Sequence, residues 1–282
     1  MNFFDFKLEI FVPDGGEPLS SLSKTTDLCI AAHPDDIEIM AYGPIVACFD
    51  SPYRFFSGCV MSDGAGSPRS GHYKNYTDKE MMDTRVIEQK NAARVGNYAA
   101  QVFLGLESRQ IRDSGDTSTT EAIEELLYIA LPETVYTHNL ADKHDTHVAV
   151  ALRTIEAIRR MPPGKRPKRV YSMEVWRGLD WLRDKDKTVF DTSPHPNLAA
   201  SLLGVYDSQI AGGKHYDSAA LGRRIANATF FDSHKTDDSP SLSYGLDITE
   251  LITDDDIRPE EFIRQHIDNF STEVVARLKK LR

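Results

Sequence analysis

The feature that most restricts the fold is an alternation of short apolar runs with longer amphipathic segments. The runs "DLCIAA" (27–32), "RFFSGCVMS" (54–62), "QVFLGL" (101–106), "TVYTH" (134–138) and "RVYSMEV" (169–175) read as strands. Helical spacing predicts helices near 37–49, 78–97, 120–131 and 147–160, with another near 216–228. Two of these open with capping-box pairs, Thr77 with Glu80 and Ser118 with Glu121. Strands separated by helical lengths of chain pair in parallel, because a parallel connection must cross the sheet. The expected fold is therefore α/β: a Rossmann-like, mostly parallel sheet with helices on both faces. The Pro- and Lys/Arg-rich stretch 161–169 reads as a surface connection ahead of a less regular C-terminal third. In 260–281 the apolar positions recur at helical spacing and read as a packing face, on the core or on another subunit.

Composition narrows the function classes. The chain carries 33 Lys+Arg against 43 Asp+Glu, a net charge of −10, which argues against nucleic acid or an anionic membrane as the main partner. Cys29, Cys48 and Cys59 form no close-spaced pair and sit in apolar stretches, as small core residues of a reducing compartment do. The N-terminal stretch lacks a basic region ahead of an apolar core, and no run reaches the ~18 apolar residues of a membrane span. The expectation is a cytoplasmic protein.

Two strand ends carry chemistry. The first strand stops in His33-Pro34-Asp35-Asp36, and the segment after the 134–138 strand packs His138, His144, Asp145 and His147 into ten residues. Ligands of open parallel sheets bind beyond the carboxyl ends of the strands. Two such ends that both deliver His and Asp can converge on one divalent cation, and a leftover carboxylate can take a proton from its water. The alternative for each cluster is a polar turn capping the helix that follows. The long polar stretch 62–79 is either a binding loop or a surface excursion, with Arg69, His72 and Tyr73 the residues that would set substrate choice. Trp176 and Arg177 either face a sugar ring or, for Trp176, fill the core.

"AAHPDDIEIMAYG" resembles the AHPDD-x-E-x-x-x-x-G signature of the PIG-L/LmbE family of zinc-dependent N-acetylglucosaminyl deacetylases. Four further stretches fall in that family's order: "VMSDGAGS" (60–67), the helix and strand of 84–106 with Arg85, Glu88, Ala92 and Gly96, "KHDTHVAV" (143–150) and "GVYDSQ" (204–209). Together they cover about residues 26–210, so the expected division is a deacetylase core over 1–210 and an extension over 211–282, packed on the core or at a subunit interface.

The resemblance implies one Zn²⁺ per chain held by His33, Asp36 and His147, with Asp35 as the base for zinc-activated water. It implies His144 as the group that steadies the oxyanion, as an imidazolium, or protonates the leaving amine. Arg85, with Asp63 in the Ser-Asp-Gly turn and Trp176, would contact substrate. The implied reaction removes an N-acetyl group from a small amino-sugar conjugate, and a homo-oligomer is compatible with it. Two departures stand out. His-Asp-Thr-His replaces His-Pro-Asp-His, so Thr146 occupies the place of an Asp that Asp142 or Asp145 would have to replace; and "AYGP" replaces a Gly-Gly pair, through Tyr42 and Pro44. Two rival readings are a metal-dependent phosphoesterase and a sugar-binding relative without turnover, the latter favoured by Thr146.

Overall fold

The structure, a computed structural model, describes residues 9–282. Its strands are β1 (Glu9–Phe11), β2 (Asp27–Ala31), β3 (Phe56–Ser62), β4 (Ala100–Leu106), β5 (Thr134–His138), β6 (Arg169–Met173), β7 (Thr188–Asp191) and β8 (Leu242–Asp247). They form one sheet in the order β1-β4-β3-β2-β5-β6-β8-β7. The inner five, from β4 to β6, are parallel, while β1, β8 and β7 add antiparallel pairings at the edges. The helices are α1 (Pro18–Leu22), α2 (Asp36–Met40), α3 (Tyr42–Phe49), α4 (Asp78–Val95), α5 (Ser108–Arg112), α6 (Ser118–Ala130), α7 (Asp145–Arg160), α8 (Pro196–Gly204), α9 (Asp207–Ile210), α10 (Tyr216–Thr229), α11 (Glu250–Thr253) and α12 (Pro259–Leu281).

Alternation along buried strands builds the two cores. Every residue of β2 and β3 is buried. Leu28 and Ile30 join Ile123, Leu126, Val150 and Ile158 on one face, while Cys29 and Ala31 join Ile37, Ile45 and Leu202 on the other. A strand buried on both sides reads as a continuous apolar run, and this makes the inner strands visible in sequence. The three cysteines are free and buried. Among the described residues, no helix is long and apolar enough to cross a membrane.

The chain order creates the crevice. From β2 the chain moves outward through β3 and β4, then returns across the sheet to place β5 on the opposite flank of β2. The connections leaving β2 and β5 therefore diverge at the carboxyl ends of two adjacent strands, the topological switch point where open α/β sheets bind ligands.

Several local expectations change in detail. The 37–49 helix is two helices broken at Ala41 (φ −110°, ψ 21°). Tyr42 departs from the family pattern there, and its hydroxyl lies 2.8 and 2.7 Å from the Pro194 and His195 carbonyl oxygens. The Thr77–Glu80 capping box forms. The Ser118–Glu121 box does not: Asp116 accepts from the Ser118 amide at 2.8 Å, and Thr117 becomes the residue that precedes the helix. Residues 211–282 do more than pack on the sheet, since they insert β8 between β6 and β7 and add Leu242, Tyr244, Leu246, Leu251 and Ile252 to the core. In the 161–169 connection, Arg166 donates to the Ile252 carbonyl (2.7 Å) and to both carboxylate oxygens of Asp255 (2.8 and 2.9 Å). In α12, Phe262 and Ile263 pack on the core, whereas every residue from 271 onward is exposed.

Gly58 on β3 lies in register between Cys29 and Gln101, and Gln101 fills the space a side chain would take. A Cβ there would meet Gln101 Oε1 at 2.5 Å and Ile37 Cδ1 at 2.8 Å. Gly58→Ala should destabilise the fold by about 1–3 kcal/mol through overpacking, read as a lower urea midpoint with an unchanged slope. An unchanged midpoint would mean that Gln101 moves aside freely.

Candidate active site

The loops leaving β2 and β5 deliver three donor atoms to one point. His33 Nδ1 lies 3.1 Å from Asp36 Oδ2 and 3.1 Å from His147 Nε2, and His147 Nε2 lies 3.2 Å from Asp36 Oδ2. Tetrahedral zinc with bonds of ~2.0–2.1 Å separates its ligand atoms by roughly 3.3 Å, so the triangle matches that donor set in size and in chemistry. Two overlapping trios have donor atoms within 4.8 Å of one another: His33, His144 and His147, and Asp36, His138 and His147. The tightest triangle takes its members from both. His138 is committed elsewhere, because its Nε2 accepts the Ala32 amide at 2.8 Å. It stacks on His147 with ring centres 3.9 Å apart and supports that ring from behind.

Charge accounts for the stability of this arrangement. Burial would raise the Asp36 carboxyl, but His147, His33 and His138 outweigh burial and hold it well below the usual carboxylate range. Burial would lower His147, but Asp36 and Asp142 raise it to about 9. Asp142 Oδ2 stands 3.6 Å from His147 Nδ1 and accepts the Trp176 amide at 3.1 Å, while Oδ1 accepts the His144 amide at 3.1 Å. Asp142 thus supplies the carboxylate that Thr146 lacks, from five residues before the histidine rather than one. Such a partner fixes the ring and strengthens it as a ligand. Asp145 opens α7 and is exposed.

Asp35 and Asp36 are separated by a backbone flip. Asp35 sits at φ 92°, ψ −29°, a left-handed conformation rare for a residue other than glycine. The flip is held at both ends: the Asp35 amide donates to Gln89 Oε1 (3.3 Å), and Oδ2 accepts from Arg85 Nη2 (3.0 Å). Arg85 Nη2 also donates to the Pro34 carbonyl. Arg85 and Gln89 lie four apart on one face of α4, so one helix grips the strained turn twice. Burial raises the Asp35 carboxyl, Arg85 partly offsets that, and the net value is about 6. Asp35 Oδ1 accepts no hydrogen bond from any described residue.

Behind this turn, Glu38 is fully buried and meets Gln89 Nε2 (3.0 Å), Tyr98 Oη (2.7 Å) and Tyr206 Oη (2.6 Å). The Tyr206 hydroxyl also lies 2.8 Å from Gln89 Oε1. One hydroxyl proton cannot serve two acceptors, and a protonated Glu38 resolves the conflict by donating to the Tyr206 oxygen. Burial, opposed by the hydrogen bonds from Tyr206 and Tyr98, puts the Glu38 carboxyl at about 7. Its place is structural, away from the cavity.

His33 and Asp36 of the triangle open onto a cavity of about 400 Å³, with His147 buried behind them. His33, Asp35, Asp36, Arg85, His144 and Trp176 all line it, so the structure brings together most of the residues singled out in the sequence. His144 stacks on His147 (4.5 Å between ring centres), and burial together with His147 and His33 holds it below the usual histidine range. Asp63 does not line the cavity; its Oδ1 accepts the Ala65 amide at 3.0 Å and shapes the turn. Neither do Arg69, His72 and Tyr73: Arg69 pairs with Asp78, and the two rings pack edge to face. Their loop contributes Gly64, Gly66, Ser67 and Pro68 instead. Gln209, Lys214 and Tyr216 also line the cavity, and sequence reasoning did not single them out. Only the "SQ" match near Gln209 offered a signal for that side.

Residues 28–158 match the family model described as PIG-L, GlcNAc-PI de-N-acetylase, a span that includes both His/Asp clusters. No curated protein matches the chain in sequence. Solved structures of similar fold include GalB, the 4-carboxy-2-hydroxymuconate hydratase from Pseudomonas putida KT2440 (18% identity, TM-score 0.62, covering 79% of this chain and 96% of that one). The N,N'-diacetylchitobiose deacetylase from Pyrococcus horikoshii, complexed with its inhibitor MPG, matches at 14% identity and TM-score 0.62, covering 81% and 85%. The zinc inhibited form of teicoplanin deacetylase matches at 12% and 0.55, covering 78% and 97%. At these identities the likeness is one of fold.

Asp142→Asn should weaken divalent metal binding about 10–100-fold, measured by competition with a chelating dye; unaltered affinity would remove Asp142 from the support of His147. Glu38 gives a pH test. Its carboxyl moves from 4.5 to about 7 on folding, so its contribution to stability is fully present below pH 4.5 and is lost as pH rises through 7. Between pH 4.5 and 7.5 the protein should lose ~3 kcal/mol relative to Glu38→Gln, read from urea unfolding at both pH values. Parallel pH profiles would show that Glu38 is ionised throughout.

Proposed function

We propose that this chain, whose residues 28–158 match the PIG-L family model, is a metal-dependent N-deacetylase that removes the acetyl group from an N-acetylglucosamine-type amino-sugar conjugate. The observation that carries this reading is the His33–Asp36–His147 triangle with Asp35 beside it in the same cavity. Two imidazole nitrogens and one carboxylate oxygen, from His33, His147 and Asp36, would hold one Zn²⁺ per chain. Bound there, such an ion polarises the amide carbonyl and acidifies water.

The chain's own residues then have distinct tasks. Asp35 is ionised at neutral pH with Oδ1 unengaged, and takes the proton of the attacking water as its oxygen bonds to the carbonyl carbon. Arg85 contacts Asp35 rather than substrate: it fixes Oδ2 and leaves Oδ1 as the base. His144 lines the cavity beside the triangle and is placed to donate an N–H to the oxyanion. Collapse breaks the C–N bond, the nitrogen recovers the proton from Asp35, and acetate and a primary amine leave. Trp176 offers an aromatic face to the sugar ring. Asp142 beside His147 answers the main objection to turnover, which rests on Thr146.

Metal-loaded protein should release acetate from at least one member of a panel of N-acetylglucosamine conjugates. Asp35→Asn should keep its metal and lose at least about 10²-fold in kcat. Loss of metal in that variant would exchange the roles of the two aspartates, and a metal-loaded protein silent on the whole panel would sink the deacetylase reading. Water addition to a substrate double bond, the activity named for the hydratase of similar fold, is then the assay to run.

A further inference from the structure

A second cavity adjoins the first at the metal triangle. It is a slot of about 140 Å³, and Asp36, Trp176 and Tyr216 line both spaces. The Trp176 and Tyr216 rings, edge to face at 6.0 Å, stand between the two. Asp36 is thus reached from either cavity, although only 3% of its surface is exposed. On α2, Ile39 follows Asp36 by one turn and lines the slot; on α10, Tyr216, Ala219, Ala220 and Arg223 fall on one helical face and line its other side. The space exists because two of those four residues are alanines.

Neighbouring side chains hold the walls of the slot at a fixed distance. Arg224 on α10 donates through Nη2 to the Glu38 and Ile39 carbonyls of α2, at 2.6 and 3.2 Å. Arg223 donates to the Val175 carbonyl and so ties α10 to the segment that follows β6. Asp36 and Arg223 apart, the lining is apolar or aromatic: Ile39, Val175, the two alanines and the two rings. The main cavity has the opposite character, with His33, Asp35, Arg85, His144 and Lys214 on its surface.

The carbonyl carbon of an amide bears two arms, the nitrogen with its sugar and the acyl chain. With that carbonyl at the triangle, the sugar suits the larger, polar cavity and the acyl arm falls to the slot. We infer that the slot is an acyl-chain site, and that the protein hydrolyses N-acyl groups longer than acetyl. An apolar cavity of ~150 Å³ holds a molecule the size of benzene, so a slot of this volume takes a chain of about four to six carbons. The methyl of an acetyl group would leave most of it unfilled. This names the substrate class for the proposed hydrolase and rests on that reading. The bond broken is the same, and the acid released carries the longer chain.

The test starts from the product acids, whose binding needs no turnover: calorimetric titration of metal-loaded protein with acetate and with butanoate. Two further methylenes buried in the slot should make butanoate bind about ten-fold tighter than acetate. That ratio should fall toward one in Ala220→Phe, which fills the slot. Ala219→Leu, at an exposed position of the same lining, gives the same reading should the first variant fail to fold. Hydrolysis of the methyl glycosides of N-acetyl- and N-butanoylglucosamine is then followed through the amine released, and the butanoyl compound should have the higher kcat/KM. Equal affinities for the two acids overturn the inference. So does a preference for butanoate that survives the substitutions, since the chain would then lie in the main cavity. Cleavage of the acetyl conjugate alone also overturns it, and leaves the deacetylase reading standing. A preference for butanoate that is lost in the variants, with no amine released from either conjugate, upholds the acyl-chain site and counts against the hydrolase reading alone.

Discussion

Two adjacent carboxylates buried at the end of the first inner strand are the constraint around which the rest is arranged. Asp35 and Asp36 are 5% and 3% exposed, and side by side they would repel each other. The left-handed backbone at Asp35 sends the two charges to different partners, Arg85 for one and the histidines for the other. The flip strains the chain and has to be held by the surrounding structure. Helix α4 provides this with Arg85 and Gln89, and Gln89 is fixed by Glu38, Tyr206 and Gln101 in turn. A buried polar network spanning α2, α4, β4 and the start of α9 therefore holds the Asp35 carboxylate in place. Each member has a partner, as a network in low dielectric requires.

The inner strands and the two His/Asp clusters were legible in the sequence because their signals are local. A strand buried on both faces is a run of apolar residues, so β5 is found at 134–138 to the residue. The outer antiparallel strands escaped for the converse reason. β7 is only four residues with alternating exposure, β8 carries a glycine, and β1 is three residues long. The break at Ala41 was hidden because both half-helices bury apolar residues on the same core. At the site, the two His/Asp clusters could be named from strand ends by residue type, while the choice of His33, Asp36 and His147 among them rested on the family resemblance. The pairing of Arg85 with Asp35 was not legible, because a guanidinium aimed at substrate and one aimed at a carboxylate look alike in sequence. The outer wall was not legible. Gln209, Lys214 and Tyr216 reach the cavity through a glycine turn and a short helix, with no periodicity to mark them.

The substitution of Thr for Asp at 146 connects the floor of the cavity with its wall. Thr146 lines the cavity, so an acid at that position would add negative charge to the surface that receives substrate. The task such an acid would perform, charging and orienting the adjacent imidazole, falls instead to Asp142, whose side chain is fully buried behind His147. The ligand keeps its carboxylate partner while the lining loses an anion. With Asp35 and Asp36 engaged by Arg85 and the histidines, a neutral Thr146 leaves no other acid on the lining of the cavity. The departure at 146, which read alone suggests a weakened site, is in the folded chain the relocation of one charge from the cavity side of a histidine to its buried side.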